Sequence, residues 1–144
     1  MLTRIQDKSE LRALSELEQA LFKNHCYSLE QLEDMYADQN YVFYTFKEND
    51  IVLGYMIVLE TADEVELIKI GVSPLAQGKG IGTKLMSIIK EGPKDIFLEV
   101  SANNTNAISF YEYHGFQFIH RRKAYYQDGS DGLIYKYSVK EMVK

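Results

Sequence analysis

The sequence predicts an α/β protein with a mixed sheet, its elements in the order β-α-α-β-β-β-α-β-α-β-β. Three β-rich runs, "YVFYTF", "IVLGYMIVLE" and "VELIKIGV", follow one another with only "KEND" and "TADE" between them, as in an antiparallel meander. Amphipathic helical patterns lie on both sides of this meander. A later run, "DIFLEV", is nearly all apolar, as a buried central strand would be.

A short strand and two helices are predicted before the meander. "LTRI" at 2–5 is a candidate strand. Asp7 and Glu10 have the spacing of a capping box, and they precede four leucines on one helical face: Leu11, Leu14, Leu17 and Leu21. Ser28 and Gln31 repeat this start signal before a second apolar stripe of Leu29, Leu32 and Met35. Two amphipathic helices are therefore expected between the first two strands.

Turn residues set the boundaries of the second half. Pro74 ends the third meander strand because proline cannot donate to the ladder. A helix is predicted from the spacing of Ile81, Leu85, Ile88 and Ile89, and Gly92-Pro93 ends it. "NNTNAISFYEYHGF" predicts a further helix closed by Gly115. "FQFI" and "GLIYKYSV" are predicted strands on either side of the turn-rich "QDGSDG".

The composition limits the classes of function. A chain of 144 residues with 46% hydrophobic and 26% charged residues is expected to be one globular domain, 1–144. The net charge of −5 argues against nucleic acid as a partner. A single cysteine fits a reducing compartment, and no signal region or apolar run of membrane-spanning length is present. A cytoplasmic protein without a membrane partner is the default expectation.

Three closely spaced glycines, Gly78, Gly80 and Gly82, directly precede the third predicted helix. Glycine lets the main chain approach a ligand closely, and a helix N-terminus presents unpaired N–H groups and a positive dipole. The segment therefore predicts an anion site. A dinucleotide fingerprint would need G-x-G-x-x-G after the first strand of a βαβ unit, and a Walker loop would need Gly-Lys-Ser/Thr, so neither fits. A connecting turn without a ligand is the alternative.

Glu99 and Tyr111 are candidate proton-transfer residues. Glu99 lies in "FLEV" between apolar neighbours, and a partly desolvated carboxylate there would be a better base. Tyr111 lies in "SFYEYHGF", where a phenol with a pKa of about 10 could protonate a thiolate. Each has a structural alternative: Glu99 could face solvent or pair with a lysine, and Tyr111 could simply pack in the core.

The motif "IGVSPLAQGKGIGTKLM" resembles the acetyl-coenzyme A motif of the GNAT N-acetyltransferases, Gln/Arg-x-x-Gly-x-Gly/Ala. The similarity continues through "LEVSANNTNAISFYEYHGF" and "RRKAYY" and covers about residues 50–135. It implies the acyl-CoA N-acyltransferase fold, acetyl-CoA as co-substrate and an amine as acceptor. The positions that the resemblance assigns to the coenzyme are Ile70, Gly71, Val72, Gln77, Gly78, Lys79, Gly80, Ile81, Gly82, Thr83 and Asn104.

Within this superfamily the sequence is similar to the RimI-type ribosomal-protein alanine N-acetyltransferases. That similarity implies that Glu99 is the general base and Tyr111 the general acid. It favours a protein N-terminal α-amine as acceptor. A small amine as acceptor, or a non-catalytic module that binds acetyl-CoA, are the alternatives. The segment "KNHCYS" lacks the aromatic-Pro-Trp sequence usual in the family, so the donor is better supported than the acceptor.

Other residues have competing interpretations. Tyr125 and Tyr126 could line the acceptor groove or form an alternating strand surface, and "HRRK" at 120–123 could be a solvated strand end or lie near the coenzyme. Glu66 could be a second base or an exposed partner of Lys69 or Lys84. A nucleophilic pair of Cys26 and His25 is disfavoured because adjacent residues rarely face each other usefully. The three histidines have no ligand spacing, so no metal site is predicted.

Overall fold

The structure, a computed structural model, describes residues 1–23 and 26–139 and contains one seven-stranded sheet. The strands are β1 (Leu2–Arg4), β2 (Tyr41–Glu48), β3 (Ile51–Glu60), β4 (Glu64–Val72), β5 (Asp95–Ser101), β6 (Gln117–Arg122) and β7 (Gly132–Tyr137). The helices are α1 (Leu11–Leu21), α2 (Leu29–Ala37), α3 (Ile81–Lys90) and α4 (Thr105–Tyr113). The predicted α/β class and element order are both confirmed.

The sheet has the strand order β1-β2-β3-β4-β5-β7-β6. Its neighbouring strands are antiparallel except for β4 and β5, which run parallel and are connected through α3. A parallel pair needs such a crossover, whereas antiparallel strands can be joined by a tight turn. The nearly all-apolar β5 therefore lies inside the sheet between β4 and β7, as predicted.

The two predicted helix starts in the first half have different outcomes. At α2, the Ser28 side chain accepts the Gln31 N–H and the Gln31 side chain accepts the Ser28 N–H, so the capping box is present. At α1, Asp7 instead accepts from Ser9 and opens a short 3₁₀ turn, and Glu10 accepts the N–H of Gln6. The capping box predicted there is wrong, because the 3₁₀ turn moves the start of α1 to Leu11.

Hydrophobic side chains cover both faces of the sheet. On one face, Leu11 and Leu14 of α1 and Leu32 of α2 pack with Phe43 and Ile57 of the sheet. On the other face, α3 packs against the central strands through four buried residues: Ile81, Leu85, Met86 and Ile89. Because side chains of a strand alternate between faces, the buried Leu98 and Val100 belong to the α3 side and place Glu99 on the opposite face.

The parallel strands β4 and β5 separate after a short paired region. They pair only from Glu64 with Asp95 to Glu66 with Phe97. Just beyond this, Ile68 is an extra residue in β4, because Ile57 pairs with Lys69 and Val58 pairs with Leu67. A β-bulge of this kind bends its strand. The ends of β4 and β5 consequently diverge and leave a cleft in the middle of the sheet.

Candidate active site

A cavity of about 870 Å³ occupies the cleft between β4 and β5. The end of α1, the start of α3, one side of α4 and the turn between β6 and β7 complete its walls. Its lining includes most of the predicted site: Ile70, Gly71, Val72, Gln77, Gly82, Glu99, Asn104 and Tyr111. The divergence of the two strands therefore brings together residues from both halves of the sequence.

The β4 backbone offers hydrogen-bonding groups to this cavity. The N–H of Ser73 donates to the carbonyl of Leu53 in β3. Since N–H groups of a strand alternate in direction, those of Ile70 and Val72 point away from β3, toward the cleft. The carbonyl of Val72 also points there, and it accepts a hydrogen bond of 3.3 Å from the Gln77 side chain. Beyond Glu66 the cleft edge of β4 has no pairing with β5.

The glycine segment forms the start of α3. Gly78 and Gly80 have φ values of +83° and +77°, which a side chain would disfavour. Apart from their chain neighbours, no described residue has an atom within 4 Å of where their Cβ atoms would be. Lys84 N–H donates to Gly80 C=O, so the N–H groups at 81–83 precede the first intrahelical bond of α3. Unpaired amides and the positive end of a helix dipole commonly bind anions, so residues 78–83 form the candidate anion site.

Gly82 has a different structural role from the other two glycines. Its φ is not positive, and a Cβ there would lie 3.2 Å from the ring of Phe110 in α4. The absence of a side chain thus allows α3 and α4 to approach closely. The Ile81 side chain is buried in the core, so only its main chain can face a ligand.

Side chains around the anion site hold its elements in place. Thr83 Oγ1 lies 3.3 Å from Nε2 of His114, which is buried at the end of α4. Burial and the nearby charge of Lys90 lower the pKa of His114. Asn104 caps α4 by accepting the N–H of Ala107 at 3.2 Å. Lys79 is exposed.

The carboxylate of Glu99 is partly buried at the cavity wall. Its Oε2 is buried and has no hydrogen-bond partner among the residues that the structure describes. Nε of Arg122 lies 3.5 Å from this oxygen, at the end of β6. A Cβ at Gly132 would lie 2.6 Å from the same oxygen, so the glycine provides the space that the carboxylate occupies. Glu99 is thus neither solvent-facing nor paired with a lysine.

Two tyrosines line the cavity beside Glu99. Burial and the neighbouring Tyr126 raise the pKa of Tyr111 to about 12. Burial and the negative charge of Glu99 raise the pKa of Tyr126 to about 12 as well. Tyr126 lies in the turn between β6 and β7, and its ring is 5.1 Å from that of Tyr125, centroid to centroid. Both phenols that face the cavity therefore stay protonated at neutral pH.

Several sequence predictions need correction. Strand β6 ends at Arg122, so Tyr125 and Tyr126 form no alternating strand surface. Glu66 is exposed as expected, but Lys69 pairs with Glu18 and Lys84 lies over the ring of Phe46. Partial desolvation and the charge of Glu99 raise the pKa of Glu66.

Sequence reasoning also missed contacts that no local pattern signals. The basic run at 120–123 does not only face solvent, because Arg122 pairs with Glu99 and Arg121 pairs with Asp131. Glu18, predicted only as part of an amphipathic helix, is completely buried. The pair of Cys26 and His25 cannot be evaluated, since His25 lies outside the described residues. Within 1–23 and 26–139, no cluster of three or more metal-ligating side chains occurs, and no helix could span a membrane.

The cavity thus combines a strand cleft beside a helix N-terminus with a carboxylate and a phenol on its walls. The model of the acetyltransferase (GNAT) family matches residues 10–116. The [Ribosomal protein bS18]-alanine N-acetyltransferase of Escherichia coli K12 is 31% identical over 103 residues, which cover 67% of this chain and 70% of that protein. The chain belongs to the GNAT family and is an N-acetyltransferase.

Solved structures agree with this assignment. The crystal structure of the ribosomal-protein-S18-alanine N-acetyltransferase from Escherichia coli has a TM-score of 0.84 at 26% identity, covering 96% of this chain and 94% of that one. Arabidopsis thaliana Naa50, in complex with the bisubstrate analogue CoA-Ac-MVNAL, has a TM-score of 0.75 at 25% identity, covering 96% and 97%. The predicted resemblance to the GNAT family and to RimI-type enzymes is confirmed.

Proposed function

We propose that the protein transfers the acetyl group of acetyl-CoA directly to a protein N-terminal α-amine, such as the alanine of a ribosomal protein. The observation that carries this proposal is the cavity itself. It connects the helix start at Gly82 with Glu99 and Tyr111, so one elongated donor can reach from the anion site to both proton-transfer groups. No enzyme nucleophile is needed when both substrates occupy the cavity together.

The residues around the glycine segment suit a diphosphate. The amides at 81–83 precede the first intrahelical bond, and the positions next to Gly78 and Gly80 are open. From there, the cleft edge of β4 would run along the pantetheine arm, with Asn104 of α4 on the other wall. The N–H of Val72 is suited to stabilise the oxyanion, because it points into the cleft.

Glu99 and Tyr111 divide the two proton transfers between them. The neutral amine attacks the thioester carbonyl and forms the C–N bond, and Glu99 takes the proton that the nitrogen loses. The C–S bond then breaks, and the hydroxyl of Tyr111 donates a proton to the departing sulfur. A raised pKa keeps Tyr111 protonated until this step. The same burial would also raise the pKa of a thiol at that position, which favours protonation of the thiolate.

An α-amine is the acceptor that this chemistry handles most easily. Its pKa is about 7.7–8.0, whereas that of a lysine side chain is about 10.4. Near pH 7 the neutral form therefore costs about 1–1.4 kcal/mol for an α-amine and about 4.6 kcal/mol for lysine. The acceptors of the relatives, a bS18 alanine for the Escherichia coli enzyme and a peptide for Naa50, support this choice.

The acceptor is tested by coenzyme A release with an Ala-initiated peptide and with a panel of polyamines, amino acids and aminoglycosides. We expect turnover with the peptide at low micromolar to millimolar KM and little turnover with the panel. An Nα-acetylated copy of the peptide is the matched control, because it keeps every side chain and lacks the acceptor. Activity with members of the panel but not with the peptide would show that the acceptor is a small amine.

The residue roles are tested with Glu99→Gln and Tyr111→Phe. Both variants should bind acetyl-CoA with wild-type affinity in calorimetry, since neither residue contacts the anion site. Tyr111→Phe should lower kcat by roughly 10² to 10⁴ because the leaving thiolate loses its acid. Tyr113→Phe, on the same helix but 83% exposed, is the control. Unchanged turnover in both variants would refute the assigned roles.

A further inference from the structure

Glu18 is a completely buried carboxylate in α1, on the face of the sheet that also carries Glu99. Its Oε1 accepts a hydrogen bond from the Tyr55 hydroxyl of β3. Its Oε2 accepts from the backbone N–H of Tyr27 at 2.8 Å and pairs with Nζ of Lys69 at 2.5 Å. The donors thus come from two strands and from the connection between α1 and α2.

Lys69 joins this cluster to the cavity. Its ammonium lies 4.1 Å from the ring centroid of Phe22 and 4.9 Å from that of Tyr27. Both Lys69 and Phe22 line the cavity. Two aromatic rings from opposite ends of the α1–α2 connection therefore contact a single cation, which also pairs with Glu18.

These residues lie on the α1 face of the sheet, opposite to the face that α3 covers. In the proposed function, acetyl-CoA lies along α3, α4 and the cleft edge of β4. Phe22 follows the end of α1 and lies on the opposite face of the sheet. If the donor lies as in the proposed function, the acceptor has to approach Glu99 from this face. The wall formed by Phe22 and Lys69 then contacts the acceptor rather than the coenzyme.

Stability alone is a poor account of a buried charge here. Replacing a buried ion pair by apolar side chains of similar volume is often neutral or stabilising, because both charges lose their hydration. An apolar pair cannot accept the N–H of Tyr27, however. The carboxylate is therefore the group that connects the α1–α2 connection to the floor of the cavity through a directed bond.

We propose that Glu18 is a positioning residue for the acceptor: its bond to the Tyr27 amide and its hold on Lys69 fix the cavity wall that the acceptor meets. This inference rests on the proposed function. Loss of the bond should weaken acceptor binding and leave coenzyme binding intact. Glu18→Gln keeps an oxygen that can accept the Tyr27 N–H, so it should retain binding of the amine substrate.

A pair of double variants isolates this bond. Both carry Lys69→Met, so that the ammonium next to Glu18 is absent from both; one combines it with Glu18→Gln and the other with Glu18→Leu. Glutamine can still accept the Tyr27 N–H and bond to Tyr55, whereas leucine cannot. Tyr55→Phe alone controls for the loss of the phenol contact. Thermal melts establish that each variant is folded.

The readouts are KM and kcat for an Ala-initiated peptide, and the affinity for a conjugate of coenzyme A with that peptide relative to acetyl-CoA. The double variant with Glu18→Gln serves as the reference, and its KM should lie within about threefold of that of Tyr55→Phe. The Glu18→Leu variant should show a KM raised by roughly 10- to 10²-fold, as expected for a displaced contact of about 1 Å, with acetyl-CoA affinity unchanged. Its Tyr27 amide should also exchange hydrogen faster.

Two outcomes distinguish a failure of this inference from a failure of the proposed function. Equal KM values for the two double variants, or equal loss of affinity for peptide conjugate and acetyl-CoA, would refute the role of Glu18 alone. A wild-type protein that binds the conjugate no more tightly than acetyl-CoA would refute the peptide acceptor, and the inference with it.

Discussion

Gly132 offers a way to displace the candidate base without removing it. A Cβ at this position would lie 2.6 Å from Oε2 of Glu99 and 3.4 Å from its carboxyl carbon. Ordinary contact needs about 3.4 Å, so in Gly132→Ala the carboxylate has to retreat by about 0.8 Å. Misplacement on this scale can cost up to about 10²-fold in rate. We therefore expect kcat to fall by roughly 10- to 10²-fold.

The same substitution should change stability very little. Gly132 has no positive φ, and the clashing atom is the end of a flexible side chain. A compatible glycine-to-alanine change stabilises by about 0.4–1 kcal/mol through the unfolded state, which offsets a small shift of Tyr125, 3.2 Å away. The free energy of unfolding should therefore stay within about 1 kcal/mol of the wild type. Activity and stability would thus separate.

The assay is steady-state coenzyme A release, with calorimetry of acetyl-CoA binding and urea denaturation alongside. Gly92→Ala is the matched control, because its nearest contact would be Ile89 O at 3.4 Å and it does not line the cavity. In a Glu99→Gln background, Gly132→Ala should slow the enzyme no further, since both changes remove the same function. An unchanged kcat, or additive losses in the double variant, would refute the reasoning.

Three further predictions concern the anion site and pH. In Gly80→Asn, asparagine can adopt the φ of +77°, but its side chain should fill the open space beside Gly80. Acetyl-CoA binding should weaken by roughly 10-fold with little change in thermal midpoint, and unchanged affinity would contradict an anion site there. Because the pKa of Tyr111 is raised to about 12, kcat/KM for an α-amine should rise with the neutral fraction of the amine and reach a plateau near about pH 9. It should show no decline up to about pH 10, and an earlier decline would exclude Tyr111 as the acid. The lowered pKa of His114 means that the unfolded state binds more protons below about pH 6.5, so the stability of the folded protein falls there. His114→Gln should therefore reduce the loss in thermal midpoint between about pH 7.5 and about pH 5.5, and an identical loss would show that His114 does not cause it.

Most of the fold was predictable because its signals are local. The alternation and β-branching of the meander predicted β2, β3 and β4, and the capping box at Ser28 placed the start of α2 correctly. The start of α1 was predicted wrongly, since Asp7 can bond to either of two nearby amides and the sequence does not distinguish them. The turn at Tyr125 was missed because the two tyrosines favour a strand and no glycine or proline marks the end of β6 at Arg122.

The candidate site was predictable in part. Glycine spacing before a helical pattern indicates an anion site from the chain alone, and the positive φ values of Gly78 and Gly80 fit that interpretation. The sequence did not indicate that Gly82 serves helix packing or that Gly132 makes room for Glu99. Both functions depend on a side chain from a distant segment, so neither leaves a local pattern.

By itself, the sequence determined the order of the elements and the family, and it predicted a candidate anion site at 78–83. These features follow from hydrophobic periodicity, from backbone freedom at glycine and from helix N-termini, all of which act over a few residues. The tertiary structure decided how β4 diverges from β5, which face of the sheet Glu99 occupies and what surrounds its carboxylate. It also decided that Glu18 and Lys69, 51 positions apart, meet in the interior. Such contacts arise only when strands pair and helices pack, because the free energy of burying a charge depends on every segment that encloses it.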